Sequence, residues 1–169
     1  MKRIYQLKTL LDLTLGLSIA VLSLAIFGLV LGAFYPTDLN FSIQGNKVEH
    51  VDLSMGILLA LSAIGYVIFI YGLLQLKRLT ANFVAREFFT TSTVQLAKST
   101  GASLLYSAAL LYIPPYFIDM ISESKISIKF SSVHPESFLF LIIIGLFFIT
   151  LSYVFEQAKI LKDENEYTV

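Results

Sequence analysis

The sequence predicts an all-α integral membrane protein: a single domain of four transmembrane helices with both termini inside, and a possible small extracellular β cap built from its two outer loops. Three observations predict it. Of 169 residues 56% are apolar and 14% charged, where soluble domains average about 45–50% and about 25%. The charges leave four uninterrupted uncharged runs, Leu13–Thr37, Leu53–Leu76, Ser99–Ile118 and Ser137–Phe155, of 25, 24, 20 and 19 residues. A helix needs roughly 20 apolar residues to cross about 30 Å of hydrocarbon. Finally, nine Lys and Arg fall on one side of the alternating loops and three on the other, and basic residues mark the cytoplasmic side.

The first span covers about 13–35. Lys2, Arg3 and Lys8 precede it as in a secretory leader, but a leader's apolar core is about 7–15 residues, so the span is read as retained. The outer loop 36–52 contains Phe41 and Ile43 in alternation, a Gly45-Asn46 turn signal, then Val48 and Val51, a hairpin pattern. The second span, 53–76, ends at the anchors Lys77 and Arg78. In the inner loop 77–98, Thr90, Thr91 or Ser92 is placed to cap a helix whose body Val94–Lys98 runs into span three, with Phe83, Phe88 and Phe89 just before it.

Span three, 99–118, contains Pro114-Pro115 near its outer end. Proline removes a backbone donor and clashes with the preceding turn, so a kink, a break or a helix end is expected there. The outer loop 119–136 holds a second alternating stretch, Ile126, Ile128 and Phe130, able to join the cap. The fourth span, 137–155, is followed by a cytoplasmic tail, 156–169, whose first part continues the helix with Ile160 and Leu161 as its apolar marks.

The chemistry is mostly excluded. Without cysteine there is no thiolate metal site or cysteine nucleophile. No Asp, Glu, Lys, Arg or His lies within the four runs, which argues against a proton relay or an intramembrane carboxylate enzyme. No catalytic residue, cofactor or metal ligand is therefore assigned, and zero net charge gives no argument for direct nucleic-acid binding. Asp12 is read as solvated or paired with Lys8, and Glu156 as facing Lys159. His50 and His134, each near acids on the outer side, could form a pH-sensitive pair or a divalent site, although the spacing matches no metal motif.

Gly28 and Gly32 form a GxxxG pattern that lets helices approach closely, within the chain or in a homo-oligomer; Gly56/Ala60 and Ser103/Ser107 add similar spacings. Tyr35, Tyr71, Tyr112, Tyr116 and Tyr153 can supply an aromatic belt, while the deeper Tyr66 and Tyr106 are expected to bond a neighbouring helix, with a polar ligand pocket as the alternative. The inner loop is basic and the tail acidic. Opposite charges on one face suggest a tail docked beneath the loop, although a basic loop also suits anionic lipid.

Two stretches resemble the paired motifs of a bacterial four-span membrane family known as a domain of unknown function, DUF2975. One is Asn82-Phe83, Glu87-Phe88-Phe89-Thr90, Val94 and Gly101; the other is the tail from Phe155 through Ala158, Leu161-Lys162, the acids, and Thr168-Val169. Thr93, Ala97 and Thr100 depart from the family's Asn, Leu and Ile. The resemblance implies a bacterial inner-membrane protein with a small cytoplasmic helix-turn-helix regulator as partner, and carries no catalytic residues. Two functions follow as expectations. The leading one is a non-enzymatic membrane regulator or sensor contacting a cytoplasmic partner through Phe83, Arg86, Phe89, Leu161, Lys162, Glu164 and Glu166. The other is a transport component or small permease for a neutral or lipophilic solute, with span three as its broken element.

Overall fold

The computed structural model describes residues 2–34, 42–43, 46–47, 53–122 and 135–167, with side chains at 6, 8–27, 56–114 and 136–165. Four helices follow in chain order: α1 (Lys2–Phe34), α2 (Leu53–Val84), α3 (Thr91–Ser122) and α4 (Pro135–Tyr167). Lys8–Phe27, Gly56–Val84 and Glu136–Asn165 are long and apolar enough to cross a membrane. In such a solvent helices prevail because they satisfy every backbone group within the segment. The described part of α3 falls short of that apolarity; between Thr91 and Ser107 it carries Thr91–Thr93, Gln95, Lys98–Thr100, Ser103 and Ser107.

The helices extend past the uncharged runs. Only Ala85–Thr90 joins α2 to α3, far less than the 77–98 that separates the runs. A charge ends a membrane run but not a helix, since Lys, Arg and Gln are good helix formers. α3 also continues to Ser122, so the break or end expected at Pro114-Pro115 does not occur. The turn just before the prolines is clamped, with Leu110 and Leu111 against Gly65 of α2 and Tyr112 against Phe138 of α4.

Between α1 and α2 lie two-residue strands, β1 (Ser42–Ile43) and β2 (Asn46–Lys47), paired antiparallel with Ile43 opposite Asn46. Two residues from each arm of the expected hairpin are paired, with Asn46, expected in the turn, at a strand position; the rest of it lies outside the described residues. The second cap strand at Ile126–Phe130, His50 and His134 lie outside the described residues, as do the side-chain positions of Gly28, Gly32 and Glu166.

α3 lies between α2 and α4, and α1 packs on α2. The α2–α3 register is a heptad. Gly65 meets Leu110 and Leu111, and seven residues on, Gly72 meets Ser103 and Leu104; a side-chain hydrogen bond then joins Asn82 to Thr93. The α3–α4 register runs from Tyr112 on Phe138, ring centroids 5.6 Å apart, through Leu105 at Gly145 and Gly101 at Ile149, to Thr91 at Lys159. From Tyr112 to Thr91 is about 31 Å of helix at 1.5 Å per residue.

The seams hold small and hydroxyl residues. Thr93, Ala97, Thr100, Ser107 and Ala108 of α3 are fully enclosed. Most seam hydroxyls bond a carbonyl of their own helix: Ser18 to Thr14, Thr80 to Leu76, Ser107 to Leu104 and Ser152 to Ile149, at 2.7–2.9 Å. Such back-bonding satisfies the hydroxyl without a partner on the next helix. α1 is held differently, by Leu11, Leu15 and Ser18 on its buried stripe and by an ion pair from Asp12 to Lys77. The partner of Asp12 is therefore on α2 rather than the expected Lys8.

Candidate interaction site

Antiparallel packing brings the start of α1, the α2–α3 turn and the end of α4 to one end of the molecule, with Phe83, Arg86 and Phe89 at or next to the turn and Leu161, Lys162 and Glu164 along the extension of α4. The turn is built from backbone outward. Arg86 N–H donates to Phe83 O at 3.2 Å and Glu87 N–H to Asn82 O at 2.9 Å, the crossed pair of a Schellman motif. The motif needs a left-handed residue after the cap, and Arg86 supplies it with φ 64°. Glycine is the usual occupant because a Cβ there is costly, but no glycine marks the turn at this point.

Thr90 then caps α3. Its Oγ1 accepts from Thr93 N–H at 3.2 Å, satisfying one of the first-turn donors. Thr93 is the hub that fastens turn to helices. Its hydroxyl donates to Glu87 O at 2.6 Å and accepts from Asn82 Nδ2 at 3.2 Å and from Thr90 Oγ1 at 3.0 Å. A hydroxyl has one donor and two acceptor sites, so this one is saturated. Asn82 Nδ2 also reaches Ser92 Oγ at 3.2 Å.

Around this turn stands an aromatic cluster. Phe83 stacks on Phe88 at 5.7 Å and meets Phe155 of α4 edge-on at 5.7 Å, and Phe88 lies 6.4 Å from Phe89. Edge-on and offset pairs at these separations are favourable beyond their area. Phe83 therefore bridges α2 to α4, while Phe88 and Phe89 remain 39% and 42% exposed. Beside them, Lys159 Nζ donates to Thr91 Oγ1 at 2.8 Å, tying the tail helix to the first residue of α3 instead of pairing with Glu156.

α4 then continues about 18 Å beyond Phe155, to Tyr167, with Ile160 and Leu161 exposed. Arg86 is exposed on the turn and Lys162 and Glu164 on the tail. Arg86 makes no ion pair with a described residue; the loop and tail meet through aromatic rings and the Lys159–Thr91 bond. The sequence pointed to Phe83, Arg86 and Phe89 but missed Phe155, Asn82 and Thr93 as the pieces that join them. An aromatic at the end of span four could have been paired with the loop phenylalanines, whereas a hydroxyl hub across eleven residues leaves no local pattern.

Among the described residues no group of three or more His, Asp and Glu could hold a metal ion. Tyr66 packs its ring against Phe69. Neither its hydroxyl nor that of Tyr106 has a hydrogen-bond partner among the described residues, contrary to the expected bonds to neighbouring helices.

No curated protein and no solved structure is detectably similar to the chain. Residues 32–169 match the family described as protein of unknown function DUF2975, a stretch that takes in the turn, the aromatic cluster and the tail and leaves out nearly all of α1. The chain belongs to that family.

Proposed function

We propose that this member of the DUF2975 family is a non-enzymatic membrane regulator whose turn end binds a cytoplasmic protein, in the simplest case a small helix-turn-helix transcription regulator. The observation that carries it is the juxtaposition of exposed Phe88 and Phe89 with a tail helix that leaves Ile160 and Leu161 uncovered. Apolar rings held on a hydrogen-bonded turn, with aliphatic side chains on the helical tail, make a preorganised surface, and preorganisation lowers the ordering cost of binding. Arg86 and Lys162 on one side and Glu164 on the other supply a polar rim for orientation.

In this reading the turn end lies in the cytoplasm of a bacterial cell and the chain spans the inner membrane four times. The nine-to-three split of Lys and Arg supports the orientation. The packing of α3 between α2 and α4, with Thr93, Thr100, Ser103 and Ser107 buried, supports reading it as the fourth span. The transport reading relied on a broken third helix, and α3 runs unbroken through Pro114-Pro115.

The test is affinity purification from gently solubilised membranes of the full chain, of a chain ending at Phe155, and of Phe88→Ser/Phe89→Ser. A soluble DNA-binding protein retained by the full chain and lost from both variants is the expected result. Identical eluates from all three would remove the regulator reading.

A further inference from the structure

Two faces of α3 are taken by α2 and α4, and the third is open. Along it Gln95, Ser99, Ala102, Tyr106, Ala109 and Ile113 follow one another at alternating steps of four and three, and each is exposed or half-buried. The open faces of the outer helices differ in kind. On α1 they show Leu13, Leu17, Leu24 and Phe27, and on α4 Phe140, Ile143 and Phe147, large apolar groups that suit lipid. Tyr106 is the sharpest anomaly. It is 66% exposed, eight residues beyond Lys98, hence about 12 Å along the axis and near the middle of a hydrocarbon layer about 30 Å thick. Its hydroxyl has no partner among the described residues, and an unsatisfied polar group in hydrocarbon is strongly unfavourable.

We infer that this face of α3 is the interface with a second copy of the chain. Two membrane proteins of the same orientation are related by an axis along the membrane normal, so a two-fold dimer places each residue opposite its own equivalent at the same depth. The polar residues of the seam are self-complementary under that operation. A tyrosine hydroxyl donates and accepts, as does a glutamine amide, so Tyr106 satisfies Tyr106 and Gln95 satisfies Gln95 without a foreign group. A seam repeating every seven residues follows a partner helix in a left-handed crossing near 20°. Ala102 and Ala109, seven residues apart and flanking Tyr106, let the backbones approach. Lipid chains offer the hydroxyl nothing.

The inference rests on the reading that α3 crosses the membrane, and the experiment separates the two. The chain has no cysteine, so single cysteines need no prior removal of others. Ala102→Cys and Ala109→Cys probe the seam, with Leu17→Cys on α1 and Ile143→Cys on α4 as controls, all in native membranes. Labelling of Ala102→Cys by a water-soluble maleimide would overturn the membrane placement of α3. With that site protected, mild oxidation is expected to give a disulfide-linked species of twice the chain mass at positions 102 and 109 and not at 17 or 143. The absence of that species, its formation at the controls, or an adduct of another mass overturns the dimer. As a second readout, energy transfer between labelled copies is followed as vesicles are diluted with lipid. Tyr106→Phe should raise the dissociation constant about three- to fifteenfold, the effect of one interhelical hydrogen bond in a bilayer. An unchanged constant overturns the role given to the hydroxyl and with it the inference.

Discussion

Gly101→Ala should separate α3 from α4. A Cβ built on Gly101 would lie 2.6 Å from Gly145 O, 2.9 Å from Ile149 N and 2.8 Å from Ile149 Cγ1. Carbon–oxygen contacts between packed helices sit at about 3.3 Å or more, so the two backbones must open by about 0.7 Å. Two of the three obstacles are main-chain atoms, which no rotamer change can move. Overpacking costs about 1–3 kcal/mol, and a rigid obstacle places this case at the upper end. Alanine's better helix propensity offsets about 1 kcal/mol, leaving a net loss of about 2 kcal/mol, or about thirtyfold in the folded-to-unfolded ratio. Gly72→Ala is the internal control. Its new Cβ would meet Ser103 Cβ at 3.2 Å and Leu104 side-chain atoms at 3.7 Å or more, so a shift of a few tenths of an ångström suffices and the propensity gain brings the net change close to zero. Reversible unfolding in mixed micelles of dodecyl maltoside and SDS, followed by circular dichroism, measures both. The reasoning fails if Gly101→Ala lies within about 0.5 kcal/mol of Gly72→Ala.

The turn and the seams give four further expectations. Thr93→Val keeps the shape but strips the hydroxyl from Glu87 O, Asn82 and Thr90; at about 1–3 kcal/mol for stranded buried groups, it should loosen the turn, read as faster tryptic cleavage after Arg86. Arg86→Gly should be neutral or stabilising by up to about 1 kcal/mol, while Arg86→Val, which tolerates a φ of 64° poorly, should lower the midpoint of the same micelle titration. A double-mutant cycle on Asp12→Asn and Lys77→Met should yield a coupling below about 1 kcal/mol that shrinks with added salt, because both side chains are more than a third exposed and solvent screens the pair. Gln75→Leu with Thr100→Val should be at least as stable as the parent, since Gln75 Oε1 and Thr100 Oγ1 are buried without a hydrogen-bond partner and replacing both removes two unsatisfied groups; a clear loss in the same titration would contradict it.

Much of the fold was written in the charge pattern, because a charge in hydrocarbon is costly wherever it falls. That rule places spans but not helix ends, which is why the joint between α2 and α3 shrinks to Ala85–Thr90. Close helix contacts were less legible. The eye goes to Gly28 and Gly32 on one helix, whereas the tightest described approach pairs Gly101 of α3 with Gly145 of α4, two glycines no single-helix pattern connects. Gly101 did stand in the family resemblance, and the backbone of α4 supplies its reason. Thr93, Ala97 and Thr100 of α3 are likewise small and fully enclosed, so the close packing around them has no signal along a single helix. At the candidate site the sequence placed the exposed phenylalanines but not what fixes them, since the hydroxyl of Thr93 draws its partners from Asn82, Glu87 and Thr90.

The polarity of α3 is the feature that ties fold and function together. Where α3 lies in the membrane as proposed, it gains little from large apolar residues, because lipid is as apolar as leucine and offers no hydrophobic reward for excluding it. Close packing and hydrogen bonds remain, and α3 is built for both. Small residues admit Gly65 and Gly72 on one side and Gly145 on the other, and Thr90 and Thr93 turn its first residues into a cap that also locks the α2–α3 turn. α3 is thus packed on two sides, whereas α1 rests on α2 through a single stripe and an exposed ion pair. The turn carrying Phe88 and Phe89 is hydrogen-bonded to the first turn of α3 through Thr90 and Thr93, the helix whose open face carries Tyr106. If the proposed partner moves Phe88 and Phe89, and the proposed dimer forms along Tyr106, any coupling between the two binding events is reciprocal.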